Sequence, residues 1–230
     1  GLVLGVSALI RPLNVSDTVF RRDVPFMVLA ALLLVGLGWD GRIGFLDGVV
    51  LLGTLVAFTA AVLRRVRENQ SAITDSERDE MPDARARDIA MVVAGIAALV
   101  LGSRGLIDGS ESLLAAAGFS DIFIGLTVLA LGTSLPELAA SVVAAVRGEA
   151  EFSVGNVVGS NIYNILAVIG IVAVVTPIGV APGVRGFEFP ALLAFTAVIV
   201  GIMAYSERIT RVDGAVLTVG YGAFVYLLLP

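Results

Sequence analysis

Apolar residues run along this chain in long stretches, and the polar residues gather in the gaps between them. The stretches fall at 24–38, 43–63, 89–107, 121–146, 153–176, 187–205 and 211–229, after a shorter one at 1–10. A helix needs about 20 residues to cross roughly 30 Å of hydrocarbon, so each long stretch is a candidate crossing. The pattern predicts an all-α polytopic membrane protein with about seven full transmembrane helices plus a truncated first one. Composition agrees: 57% of residues are hydrophobic and mean hydropathy is +0.96, where soluble domains sit near 45–50% apolar.

The charged residues then orient the crossings. Every basic residue is an arginine. If crossings alternate, the loops around 11–23, 64–88, 147–152 and 206–211 share one side of the bilayer. They carry twelve of the fifteen arginines; Arg42, Arg104 and Arg185 lie opposite. Arginine-rich loops stay in the cytoplasm, which places this multi-pass chain in the cell membrane with loop 64–88 inside and the C-terminus outside. That loop (RRVRENQSAITDSERDEMPDARARD) lacks the spacing of a calcium-binding loop and reads as a solvated hinge.

The N-terminal part recurs 165 residues later. Gly5, Ala8, Pro12, Val15, Val19, Pro25 and Gly36 fall on Gly170, Ala173, Pro177, Val180, Val184, Pro190 and Gly201. With one extra residue, Arg42, Ile43, Asp47, Gly48, Leu51 and Phe58 fall on Arg208, Ile209, Asp213, Gly214, Leu217 and Phe224. Five crossings separate equivalent points. Five is odd, so the copies should be inverted in the membrane, a construction typical of secondary transporters with a midplane site. Residues 1–63 then belong to a first repeat, 64–88 to a cytoplasmic linker, and 89–230 to a second repeat. Residues 90–165 have no counterpart here; the expectation is that a missing N-terminal repeat segment precedes Gly1 and is needed to complete the site.

There is no Cys and no His. Thiolate, zinc and imidazole chemistry are excluded, no cofactor is expected, and any metal must be a hard ion on oxygen ligands. The net charge of −5 argues against nucleic acid. The segment GLTVLALGTSLPELAAS (125–141) concentrates polar groups inside an apolar span. A carboxylate at membrane depth costs a few kcal/mol or more and marks an ion path, which singles out Glu137 as the ionisable group deep in a span. Pro136 lacks an N–H and should break or kink the helix, freeing carbonyls near Ala130 and Leu131, with the Thr133 and Ser134 hydroxyls beside them. In the next span Asn156, Ser160 and Asn164 recur every fourth residue, on one helix face over about 12 Å. Gly155 and Gly159 form a small-residue strip for close helix approach. The stripe should face the Glu137 kink; Asn156 and Asn161 read equally well as interhelical glue. Asp47 and Asp213 read as helix-start residues. Asp108 and Glu111 read as solvated charges in a 104–120 connection.

These paired motifs, GLTVLALGTSLPELAAS followed by GNVVGSNIYNI, resemble the second conserved repeat of the sodium/calcium exchangers of the calcium/cation antiporter superfamily. The resemblance covers nearly the whole chain, from a truncated third helix to the tenth. It implies a ten-helix antiporter of two inverted halves, with Ca²⁺ and Na⁺ as cargo and the bilayer as environment. By that resemblance Glu137 bridges the calcium and sodium sites. Thr133 and Ser134 supply oxygens, Ala130 a backbone carbonyl, and Ser160 a further sodium ligand. Asn164 stands where the family often has an acid, which removes one negative charge. Ca²⁺/H⁺ antiport is the alternative, because a proton can compete for the same carboxylate. A non-transporting membrane scaffold is the alternative of another class.

Overall fold

The computed structural model describes residues 1–72, 86–118, 130–206 and 208–228. The expected linker core at 73–85 and the first part of the 121–146 span, Gly125 included, lie outside the described residues. The chain divides into two compact units: Gly1–Phe58 with Glu137–Leu227, and Thr59–Pro136 with the last residues.

The first unit displays the repeat. Helix α1 (Leu2–Ile10) ends before Pro12, and strand β1 (Leu13–Asn14) follows. Its equivalent, α7 (Gly170–Val175), ends before Pro177 and leads into β3 (Ile178–Gly179). A residue before proline is pushed out of the helical region. Both C-caps obey with nearly the same backbone: Arg11 at φ −147°, ψ 130° and Thr176 at φ −146°, ψ 127°. Next come widened π turns at Val19–Asp23 and Val184–Glu188, each running into a helix that carries a proline at its second position, α2 (Val24–Leu37) and α8 (Phe189–Ser206). That proline cannot donate to the preceding turn, which relaxes to the wider pattern in both copies. After α2 and a tight turn come β2 (Arg42–Ile43) and α3 (Phe45–Ala72); after α8 come β4 (Arg208–Ile209) and α9 (Arg211–Leu227).

The copies interlock by exchange. β1 pairs antiparallel with β4, and β2 with β3. Gly5 and Gly214 bring α1 and α9 together, whereas Gly170 and Gly48 bring α7 and α3 together. A Cβ on Gly214 would lie 2.7 Å from the Gly5 carbonyl oxygen, and one on Gly48 would lie 2.7 Å from the Gly170 carbonyl oxygen. Each contact joins one copy to the other, as an inverted repeat about a two-fold axis requires. The acids that follow the strands also match. Asp47 Oδ2 accepts the Gly44 N–H at 2.8 Å, and Asp213 Oδ2 accepts the Thr210 N–H at 2.8 Å, so both are helix-start residues.

Between the copies lie α5 (Ala130–Arg147) and α6 (Ala150–Tyr163), which continues through a π turn at Asn164–Ile169 into α7. Gly148, at φ 89°, takes the left-handed conformation that turns α5 into α6. Arg11 Nη1 donates to the Val146 carbonyl at 3.3 Å beside it. Val154, Val158, Ile162 and Leu166 put the inner face of this rod into the core, where Leu4, Leu51 and Leu217 are also fully buried. In the second unit α4 (Ala86–Ala116) meets the start of α5, with Gly132 directly under the Ile107 side chain.

Five helical rods among the described residues are long and apolar enough to cross a membrane: Val19–Asp40, Phe45–Arg67, Ala90–Ala116, Ala150–Val175 and Val184–Ser206. The other two expected crossings correspond to α5, described only from Ala130, and to α9, which is 17 residues long. Three expectations change. The rods at 24–38 and 187–205 begin earlier, because the π turns extend them. Asp108 and Glu111 are not in a connection; they lie exposed within α4. Helix α5 does not break at Pro136, since its helical assignment runs unbroken from Ala130 to Arg147. One proline removes one ladder bond, and the bonds on either side keep the helix continuous.

Candidate ion site

Helix α5 carries the polar motif. Ala130, Thr133 and Ser134 occupy its first turns; Glu137 is the first residue of the part that belongs to the first unit. Glu137 is half-buried, and its Oε2 is fully shielded from solvent with no hydrogen-bond partner among the described residues. A carboxylate oxygen in that setting is costly unless it protonates or meets a cation. One turn further along the same face, Ser141 is fully buried.

Helix α6 delivers the matching contact. The Asn156 side-chain amide donates to the Ser141 hydroxyl at 3.0 Å and to the Glu137 backbone carbonyl at 3.3 Å. The amide therefore ties the two helices at the turn that carries the acid. Asn156 places its end of the fourfold stripe against the Glu137 turn. Ser160 Oγ donates to its own helix, to the Val157 carbonyl at 3.0 Å, and Asn161 Nδ2 bonds the same carbonyl at 2.9 Å. Asn164 is exposed and opens the π turn that follows α6. Of the two glycines of the expected packing strip, Gly155 has the Val19 side chain in ordinary contact, and Gly159 has no close neighbour among the described residues.

Two further acids, Asp23 and Glu188, have shielded carboxylate oxygens in the π turns that open their rods. Asp23 is buried and takes a two-point hydrogen bond from Arg22, at 2.5 and 2.9 Å. Its repeat equivalent, Glu188, has a buried Oε2 with no partner among the described residues. Asp23 fell one residue before the expected span 24–38, because the π turn that opens the rod was not visible in the sequence; Glu188 lay at the edge of the expected span 187–205 and was not singled out. Ser141 escaped for another reason: it closes the GTSLPELAAS motif, and its spacing of four from Glu137 was the available signal. Among the described residues no group of three or more acidic, His or Cys side chains converges on one point.

A sequence-family model for the sodium/calcium exchanger protein matches residues 1–64 and 88–229. The chain belongs to that exchanger family. A putative antiporter, CaxA, of Alkalimonas amylolytica is 31% identical over 99% of this chain and 73% of its own length. The sodium/calcium exchanger MaX1 of Methanosarcina acetivorans is 36% identical over 62% of this chain and 41% of its own length. Among solved structures, the sodium-calcium exchanger NCX_Mj, soaked with sodium and strontium, superposes with a TM-score of 0.76 at 27% identity, over 98% of this chain and 71% of that one. The exchanger family is one of membrane transporters rather than enzymes, and its inverted-repeat fold is the one described above. The chain is thus a membrane transporter of the cation exchange class.

Proposed function

We propose that the protein exchanges Ca²⁺ for Na⁺ by alternating access around a site centred on Glu137. The observation that carries this reading is the Glu137 Oε2 in the motif helix of an exchanger-family chain, buried and without a donor among the described residues. Ca²⁺ takes six to eight oxygens and favours carboxylates. Glu137 supplies the charge. Thr133 and Ser134 add hydroxyls, Ala130 a backbone carbonyl, Ser160 a hydroxyl and Asn164 an amide oxygen. Sodium ions use the same oxygens, so binding one cargo expels the other. If only loaded states switch access between the two sides, competition becomes antiport. Asn164 brings no charge, which makes charge compensation for Ca²⁺ lean more heavily on Glu137.

The test is calcium uptake into vesicles holding the full-length protein, under an outward sodium gradient or an equal proton gradient. Sodium-driven uptake supports this reading. Uptake driven by the proton gradient alone replaces it with Ca²⁺/H⁺ antiport, and uptake driven by neither rejects Na⁺- or H⁺-coupled calcium exchange for this chain.

A further inference from the structure

Helices α2 and α8 end alike. In the rod Val19–Asp40, Leu32 lies on α2 and Trp39 in the 3₁₀ turn (Gly38–Asp40) that follows it; both are exposed and seven residues apart. On α8, Val198 and Tyr205 repeat that spacing, and Tyr205 is 94% exposed. Trp39 and Tyr205 are equivalent in the repeat, and each is followed three residues later by an exposed arginine, Arg42 or Arg208. Each helix thus presents, in order, an apolar side chain, an amphipathic ring and a guanidinium. That is the order of hydrocarbon, glycerol–carbonyl and phosphate layers at a bilayer surface. Both ends are held in place. Arg185 Nη1 donates to the Trp39 carbonyl at 3.1 Å, and the strands that carry Arg42 and Arg208 are each paired with a strand of the other copy.

We propose that Trp39–Arg42 and Tyr205–Arg208 are matched headgroup anchors, one in each leaflet, with the ring at the interface and the guanidinium on a phospholipid phosphate. The occupant is lipid rather than a protein partner for two reasons. Each ring continues a stripe of exposed apolar side chains on a membrane-crossing rod. The arrangement also recurs at opposite ends of the repeat, which a bilayer with two like surfaces explains and a single partner does not. Nothing here depends on which ions are exchanged.

Trp39 is the only tryptophan in the chain, so its emission reports one place. The protein is reconstituted in phosphatidylcholine vesicles brominated either near the carbonyls or near the chain ends. A Trp39→Phe/Tyr205→Trp double variant reports the other anchor. Shallow bromine should quench both reporters more than deep bromine, and in uniformly oriented vesicles external iodide should reach only one of them. Arg42→Gln should red-shift Trp39 emission as the ring loses its phosphate-side neighbour. Stronger quenching by deep bromine, no quenching by lipid, or both reporters open to the same side would overturn the anchor assignment. Unchanged emission in Arg42→Gln would overturn the phosphate contact.

Discussion

A buried carboxylate oxygen without a donor and an amide that grips the same turn make opposite demands. The Glu137 oxygen is costly unless it protonates or meets a cation, whereas the Asn156 amide holds the turn around it fixed. Asn156→Leu removes both hydrogen bonds and strands the buried Ser141 hydroxyl. At about 1 kcal/mol per bond the cost of two bonds should show as a roughly thirty-fold loss of apparent calcium affinity in uptake assays. Asn156→Gln, which keeps the donor on a longer arm, should recover part of it. If Asn156 is packing alone, Leu and Gln will lower expression while leaving the affinity of the surviving protein unchanged. The motif that holds Glu137 was legible at this scale, because a Gly, two hydroxyls, a proline and an acid inside an apolar run are rare enough to stand out. The grip of Asn156 was legible only as an alternative: an amide on a helix face serves ion or backbone equally, and the distance to the Glu137 carbonyl is what decides.

Elements meet in this fold through glycine. Gly48 and Gly214 sit where one backbone lies against another, so Gly48→Ala or Gly214→Ala forces helices apart and should destabilise by about 1–3 kcal/mol. Gly53 lies mid-helix with nothing within 4 Å. Gly53→Ala should be neutral or stabilise by up to about 1 kcal/mol, because the same change there only adds helix propensity. Thermal unfolding in one detergent compares all three. Loss of a capping carboxylate belongs to the same scale: Asp47→Ala and Asp213→Ala should each cost about 1 kcal/mol in that assay. The glycine pairs, the prolines and the acids were all visible as a recurrence at 165 or 166 residues. Their partners were not. A repeat in sequence does not say that Gly5 meets Gly214 rather than its own copy's Gly48; that follows from the exchange of strands between copies. The π turns were hidden too, since no local residue pattern distinguishes an i→i+5 turn from an ordinary one. With them went the true starts of two rods and the burial of Asp23.

For the whole molecule, the inverted repeat, the membrane crossings and the exchanger family form one account. The sidedness drawn from arginine distribution belongs to it as a prediction. With no native cysteine, a single one is a clean label. Ser76→Cys in the linker should react with an impermeant thiol reagent only from the cytoplasmic side, and Gly183→Cys only from the opposite side. Apolar alternation showed the spans because oil excludes charge over their whole length. It could not show where a π turn changes the period within a rod, as at Asn164–Ile169. The central claim is that one carboxylate, Glu137, is where sodium and calcium compete. Calcium uptake under a sodium gradient, measured side by side for wild type and Glu137→Gln in vesicles of equal protein content, tests it most directly. The account predicts sodium-driven uptake in wild type and none above the empty-vesicle level in Glu137→Gln, although the variant is inserted and folded. Undiminished sodium-driven uptake in Glu137→Gln would contradict it.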